Sequence, residues 1–319
     1  MHLAPRYGGG VASVGAWPSE SRGPAQPRLA ATVVLLREER GRLEALLVRR
    51  GADLRYLGGA WVFPGGALDE ADCAEEILAG IPHDVRERCR RRLAGSGEPP
   101  GAAAALGLFV AACRETFEEC GVVLARRADG SAYVPDGRPA ARERRTFAQL
   151  LFEERLRPDV ERLVLWGHWL TPAAAAIRFD TRFFALRMPP GQTAAADEAE
   201  ITDAAWVGPA APDPAYAIPP PTRLMLADVA NAWERHGSLQ AMLAAEAGRP
   251  VPRVLPKLVE REEGRVTLFP WDPEYAAAPG EGSEPAEVPP HLARLPSRVV
   301  LTESLRYPGV RPPGPAPAA

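Results

Sequence analysis

The stretch "RETFEECG", residues 114–121, crowds three glutamates, Glu115, Glu118 and Glu119, into little more than one helical turn. In the predicted amphipathic helix that contains it, apolar residues form one stripe and the three carboxylates fall on the opposite side, where we expect them to face outward together. Carboxylates at this spacing repel one another, and they sit at the negative end of the helix dipole. A single arginine, Arg114, cannot neutralise three anions, whereas Mg²⁺ favours clustered carboxylate oxygens. The stretch therefore predicts a helix that ends in a metal site.

The composition is that of a globular protein and argues against several classes of function. The 319 residues are 25% charged and carry a formal net charge of −3, which gives no general attraction to nucleic acid or to membranes. The longest apolar run, residues 102–113, is 12 residues long, whereas a bilayer span needs about 20. The four cysteines show no C-x-x-C spacing, and no signal peptide precedes them. We expect free thiols in a cytoplasmic protein, with no nucleic-acid partner and no membrane segment.

The pattern along the chain predicts three regions. Residues 1–27 are rich in Gly, Pro and Ser without periodicity, which indicates a disordered tail. Residues 28–247 alternate strand-like and helix-like segments, beginning with a predicted hairpin around "EERGR" (38–42), and this mixture favours a layered α/β domain. Residues 248–319 form a Pro-rich C-terminal extension with a strand-like piece at "RVTLF" (265–269).

The opening stretch matches the R-E-x-x-E-E-x-G core of the Nudix box, the signature of the Nudix hydrolases. With each amino acid used at roughly one position in fifteen, five fixed positions match by chance in about one register per million. Upstream, "FPGG" (63–66) resembles the loop that opens the box, and Asp72 stands where the family prefers a glutamate. The family's usual gap of seven residues between this acid and the arginine is 41 here (73–113), so an insertion of 34 residues splits the box. Residues 73–101 of this insertion are expected to form helices.

Split boxes are known in the branch that contains the peroxisomal coenzyme A diphosphatases of animals, and this sequence resembles a bacterial-type relative of them. The resemblance implies a Nudix α/β/α sandwich with a mixed sheet, a helical insertion within the box and a C-terminal extension. By position, it implies that Glu115, Glu118, Glu119 and the carbonyl of Gly65 hold Mg²⁺ or Mn²⁺. Arg114 would fix the geometry of the glutamates, and Glu118, Glu119 and Arg114 would form the catalytic core.

In several members of the family the general base lies on a loop outside the box. In this sequence, "AAADEAEITDAAW" (194–206) offers Glu198 and Glu200 ahead of a predicted strand. Both are therefore candidates for the general base, against the alternative that they are solvated loop residues.

Coenzyme A carries a 3′-phosphate besides its diphosphate, so a site for it needs cations in addition to the metal. Arg49, Arg50 and Arg55 precede the box, and Gly65 and Gly66 form its loop; we expect these five residues to bind substrate. A run of arginines in the insertion, within residues 86–92, could add phosphate contacts, although solvation is the usual explanation for such a run.

The predicted function is metal-dependent hydrolysis of a diphosphate linkage in a small nucleotide-derived molecule, with coenzyme A or acyl-coenzyme A as the expected substrate. One alternative is a diphosphatase for ADP-ribose or a dinucleotide. Another is a non-catalytic sensor that uses the same pocket to bind a nucleotide metabolite. The three intact box glutamates favour an enzyme. The sequence carries no signal for an oligomeric state.

Overall fold

The computed structural model describes residues 25–54, 56–96, 100–135, 145–175, 177–262, 264–282 and 287–301. The predicted tail, residues 1–27, lies almost wholly outside the described residues, and so does Arg55.

A mixed sheet forms the centre of the fold. The strands in chain order are β1 (Arg28–Glu39), β2 (Arg42–Arg50), β3 (Trp61–Val62), β4 (Gly65–Ala67), β5 (Ala125–Arg126), β6 (Arg157–Pro158), β7 (Val164–Leu170), β8 (Phe179–Arg187), β9 (Ile201–Val207), β10 (Arg253–Val254), β11 (Lys257–Arg261), β12 (Gly264–Leu268) and β13 (Arg298–Leu301). The main sheet has the order β10-β7-β8-β1-β2-β3, with β4 also paired to β1 and β9 to β2. Strands β1 and β8 run parallel, as do β10 and β7, while the other pairs are antiparallel. The predicted hairpin is confirmed, because β1 and β2 pair across the turn at residues 40–41.

Helices cover both faces of this sheet. They are α1 (Glu75–Leu78), α2 (His83–Ala94), α3 (Ala102–Cys120), α4 (Phe147–Glu153), α5 (Pro220–His236), α6 (Leu239–Glu246) and α7 (Pro290–Ala293). Because successive side chains of a strand point to opposite faces, β1 contributes Val33 and Leu35 to the core under α3. It contributes Val34 and Leu36 to the core under α5 and α6. The predicted α/β/α sandwich with a mixed sheet is thus confirmed.

The insertion that splits the box is helical, as predicted, and packs against the glutamate helix. It contains α1 and α2, and α2 buries Val85, Cys89 and Leu93 in the same core as α3. Cys73, the first residue of the insertion, packs against α3 at Gly107, where the helix has no side chain. A Cβ at Gly107 would lie only 2.6 Å from Cys73 Sγ, so the glycine permits this close approach.

The arginine run of the insertion makes local contacts. Arg88 pairs with Asp84, and Arg90 pairs with Glu87, both on α2 itself. The remaining arginines of the run are Arg86, which donates to the carbonyl of Ile81, Arg92, which donates to the carbonyl of Leu163, and the exposed Arg91. These contacts explain the run as part of the packing and solvated surface of the insertion.

The C-terminal extension is folded onto the domain. Strand β10 adds to the edge of the main sheet beside β7, and β11, β12 and β13 form a small antiparallel sheet of their own. Phe269 and Leu292 join the core that lies under α5. The strand predicted at residues 265–269 corresponds to β12, whereas the boundary at residues 247–248 stays a prediction.

We predict that Gly107→Ala lowers the free energy of unfolding by about 1–3 kcal/mol, because the new methyl group overpacks the contact with Cys73. The measurement is chemical denaturation of the wild type, Gly107→Ala, Cys73→Ala and the double variant. Removing the sulfur should restore a large part of the loss, since the two residues are in contact. Additive effects of the two substitutions would contradict this packing of the insertion.

Candidate active site

The guanidinium of Arg114 joins the two halves of the split box. Its Nε and Nη2 donate to the two carboxylate oxygens of Asp72, at 2.8 and 2.9 Å, and Nη2 also donates to the carbonyl of Ala67 at 3.0 Å. Its Nη1 donates to Glu115 Oε1 at 2.8 Å and to Glu118 Oε2 at 2.9 Å. All five N–H groups of the side chain are therefore engaged. The burial of Arg114 opposes its charge, but the Asp72 hydrogen bonds and the Glu115 charge outweigh it and raise the pKa of Arg114.

Asp72 is a residue whose role the sequence left undecided. Its side chain is 1% exposed and accepts the paired hydrogen bonds from Arg114. It also accepts a hydrogen bond from the backbone N–H of Asp69 at 2.9 Å, which ties it to the turn that opens the insertion. Asp72 therefore holds Arg114, although 41 residues separate them in the chain. The sequence signal was its position six residues after Gly66.

The glycine loop lies directly against two of the glutamates. The backbone N–H of Gly65 donates to Glu119 Oε2 at 2.9 Å, across 54 residues of sequence. A Cβ at Gly66 would lie 2.3 Å from Glu115 Oε1, so a side chain at this position would displace the carboxylate. The structure thus brings Gly65 and Gly66 together with the box glutamates, as the sequence predicted for the two parts of the box.

The expectation that all three carboxylates face outward is wrong for two of them. The Glu119 residue is 5% exposed and the side chain of Glu115 is 13% exposed, whereas that of Glu118 is 40% exposed. The reason is that β4 covers this side of α3, which helical periodicity alone leaves open to water. Burial raises the pKa of Glu115, and burial together with the Glu115 charge raises the pKa of Glu119 well above its ordinary value.

The two neighbouring arginines of β2 point to opposite faces of the sheet. Arg49 is paired across the strands with Trp61, whose side chain lies in the core under α5, and its guanidinium is 3.9 Å from Asp203. Arg50 follows it on the α3 side of the sheet. Burial and the Glu115 charge raise the pKa of Glu119, and the positive charge of Arg50 partly opposes this rise. Its Nε donates to the carbonyl of Tyr56 at 3.2 Å. The structure therefore brings Arg50, and not Arg49, to the glutamates.

The two candidate bases, Glu198 and Glu200, lie in the loop before β9 and have different surroundings. Burial and the Glu115 charge raise the pKa of Glu119, and the charge of Glu200 raises it further. The carbonyl of Glu200 accepts a hydrogen bond from Gly51 N at 2.8 Å. Glu198 is exposed and has a φ of 66°, in the left-handed region. The loop also contains Asp197, which the sequence reasoning missed and whose side chain binds the backbone of the loop.

Among the described residues, no three His, Cys, Asp or Glu side chains converge as a ready-made metal centre. At this site, Arg114 Nη1 donates to both Glu115 and Glu118. The donor types nevertheless fit a hard divalent cation, since they are clustered carboxylate oxygens. Glu119 has no ion-pair partner within the described part of the chain, and its Oε2 is bound only by a neutral backbone N–H. The buried Glu119 carboxylate thus lacks a counterion of the kind that a metal would supply.

The sandwich, the glycine loop and the carboxylate-bearing helix define the class of protein. This combination is that of a Nudix hydrolase, an enzyme that cleaves a diphosphate linkage, and such enzymes generally use divalent metal ions. The family model described as "NUDT19 Nudix domain" matches residues 25–217, more than half of the chain. The chain therefore belongs to the NUDT19 Nudix domain family.

Similar proteins agree with this assignment. The acyl-coenzyme A diphosphatase NUDT19 of Homo sapiens is 29% identical over 276 residues, which cover 72% of this chain and 72% of the human protein. The protein of the same name from Gallus gallus is 26% identical over 282 residues and covers 74% of each chain. Among solved structures, a NUDIX hydrolase from Alicyclobacillus acidocaldarius is 25% identical, with a TM-score of 0.50, and covers 69% of this chain and 96% of that chain. No helix in the described part of the chain is long and apolar enough to cross a membrane.

We predict that Glu119→Gln raises the melting temperature of the metal-free protein. A carboxylate whose pKa is raised in the folded state costs stability at neutral pH, at about 1.4 kcal/mol for each pKa unit, and the amide oxygen of glutamine can still accept from Gly65. The measurement is thermal unfolding in excess chelator.

The control is Glu118→Gln, which removes the same charge from a more exposed side chain that is paired with Arg114. We expect no gain in melting temperature for this control, because an ion pair is lost without the relief of a buried charge. A lower melting temperature for Glu119→Gln than for the wild type would contradict the electrostatic account of the site.

Proposed function

We propose that this protein is a Mg²⁺- or Mn²⁺-dependent diphosphatase that cleaves coenzyme A or acyl-coenzyme A. The observation that carries the catalytic part is the contact of Glu119 with Gly65 and of Glu115 with Gly66, together with Arg114, whose guanidinium joins Glu115 to Glu118. The substrate part is supported by the family model and by relatives named acyl-coenzyme A diphosphatase that cover 72–74% of the chain.

Glu115, Glu118 and Glu119 would hold the metal, together with the carbonyl of Gly65. When bound, the metal would neutralise the diphosphate and lower the pKa of the attacking water. Arg114 would act through the ligands: its bonds to Asp72 fix the guanidinium, and the guanidinium in turn fixes Glu115 and Glu118. Because one Arg114 nitrogen touches both glutamates, each keeps a second carboxylate oxygen for the cation.

Hydrolysis requires a base for the attacking water, and we assign this role to Glu200. The water oxygen bonds to phosphorus while the bond from phosphorus to the bridging oxygen breaks, and the proton of the water passes to the Glu200 carboxylate. The bridging oxygen leaves with the second phosphate. Both candidates are exposed, but Glu200 follows the turn and has its carbonyl bound by Gly51, next to Arg50, whereas Glu198 lies within the turn at a φ of 66°. The charge of Glu200 also acts on Glu119, which supports Glu200 as the base. Arg50, on the same face as the glutamates, would bind a phosphate of the substrate.

The extra phosphate of coenzyme A decides between the proposed substrate and its alternatives. Cleavage of its diphosphate would give 3′,5′-ADP and 4′-phosphopantetheine, or the acyl form of the latter. In an ADP-ribose or dinucleotide diphosphatase, a 3′-phosphate on the substrate would not improve binding or turnover. Two arginines of the run on α2 are already paired with carboxylates of the same helix, so the run is not the main support for a 3′-phosphate site. The substrate proposal therefore rests on the relatives and on Arg50.

We predict that Glu200→Gln lowers kcat by about a hundredfold or more, because a general base contributes about 10²–10⁴ to the rate. Glu198→Gln is the matched comparison, since it removes the same charge two residues away, and we expect less than about a threefold change. The measurement is steady-state hydrolysis of coenzyme A with Mg²⁺ or Mn²⁺, with the products resolved by mass. A large loss in Glu198→Gln and none in Glu200→Gln would reverse the assignment.

We predict a higher kcat/KM for coenzyme A than for 3′-dephospho-coenzyme A, since only the former offers a 3′-phosphate to an arginine. A panel of coenzyme A, its dephospho form, acetyl-coenzyme A, ADP-ribose and a dinucleotide measures this difference. Faster cleavage of ADP-ribose than of every coenzyme A derivative would overturn the substrate proposal and leave the diphosphatase activity standing. Binding of these compounds without turnover, with metal present, would favour the non-catalytic sensor.

A further inference from the structure

The segment that carries Glu200 is fastened to the end of the glutamate helix. The side chain of Gln192 exchanges two hydrogen bonds with the backbone of Val123, at 2.8 and 2.9 Å, just beyond the C-terminus of α3. The backbone N–H of Ala195 donates to the carbonyl of Cys120, the last residue of that helix, at 3.0 Å. The segment therefore starts from a fixed position beside Glu119.

Within this segment, the Asp197 carboxylate binds three backbone N–H groups of the residues that follow it. Its Oδ1 accepts from Ala199 at 3.2 Å and from Ile201 at 2.9 Å, and its Oδ2 accepts from Glu200 at 3.3 Å. The backbone N–H of Glu198 donates to the carbonyl of Ile201 at 3.0 Å and closes the same turn. Aspartate at the start of a turn commonly binds backbone N–H groups in this manner.

These contacts fix the backbone of Glu200 from both sides. Asp197 holds its N–H, and Gly51, at the end of β2, donates to its carbonyl at 2.8 Å. The turn would otherwise be costly, because Glu198 adopts a φ of 66°, which a residue with a side chain rarely adopts. The carboxylate of Asp197 is thus engaged by the backbone of the turn that leads to Glu200.

We propose that Asp197 is a positioning residue for the hydrolysis: its carboxylate shapes the turn that directs Glu200 toward the box glutamates. The inference rests on the proposed function and deepens it. It assigns Asp197 a role that acts only through Glu200, so its contribution to the rate disappears when Glu200 can no longer take a proton.

The test is a double-mutant cycle on the full chain, with coenzyme A and saturating Mg²⁺. We expect Asp197→Ala to lower kcat about ten- to a hundredfold with less than about a threefold change in KM, because the turn is loosened while the metal ligands stay in place. In the Glu200→Gln background, Asp197→Ala should cost nothing further. Asp197→Asn keeps an oxygen for the Ala199 and Ile201 N–H groups and should recover most of kcat.

Asp213→Ala is the matched control, since Asp213 Oδ1 accepts from the N–H of Ala215 at 2.8 Å in a similar turn elsewhere. It should keep wild-type kcat and KM, and all variants should keep melting temperatures well above the assay temperature. Multiplicative losses in the double variant, or an Asp197→Asn enzyme as slow as Asp197→Ala, would overturn the inference while leaving the diphosphatase activity intact. A wild-type enzyme that cleaves no diphosphate substrate would overturn the proposed function and this inference with it.

Discussion

The fold of this site depends on the five hydrogen bonds of Arg114. Its guanidinium connects Asp72 and the carbonyl of Ala67 on one side with Glu115 and Glu118 on the other. Because the insertion separates these partners in the chain, ordinary chain continuity cannot hold the box together. The arginine side chain can hold the two parts together, because its planar, permanently charged guanidinium has five donors and binds several carboxylate oxygens at once. The parts on either side of the insertion are joined through this side chain and through the hydrogen bond from Gly65 to Glu119.

The same site holds charge that the fold alone does not balance. Glu119 is buried, touches the neutral N–H of Gly65 and has a raised pKa caused by burial and by Glu115. Such an arrangement costs stability in the folded protein and is relieved when a cation binds. Burial of Glu119 is therefore an electrostatic cost that no ion pair in the described part of the chain offsets.

The surroundings of the site come from parts of the chain that are distant in sequence. The end of β2 supplies Arg50, the loop before β9 supplies Glu200, and Gly51 connects the two by its hydrogen bond to the Glu200 carbonyl. On the far side, Ser96 follows α2 within the insertion, and its carbonyl accepts a hydrogen bond from His168 of the sheet. The insertion and the C-terminal extension thus enlarge the sandwich without entering the contact between the glutamates and the glycine loop.

The sequence by itself determined the parts that rest on local pattern. A layered α/β domain, the β1–β2 hairpin and the glutamate helix follow from periodicity and turn chemistry. The α/β/α sandwich came from the resemblance to the Nudix box, which was recognisable because its residues share one helix and one loop. Only the tertiary structure decided which of these residues meet. Neighbours such as Arg49 and Arg50 were separated by the register of β2 against β3 and β9, and Glu198 and Glu200 by the turn that Asp197 holds. Burial of Glu115 and Glu119 depended on β4 crossing over α3, because a helical pattern gives the direction of a side chain but not what covers it.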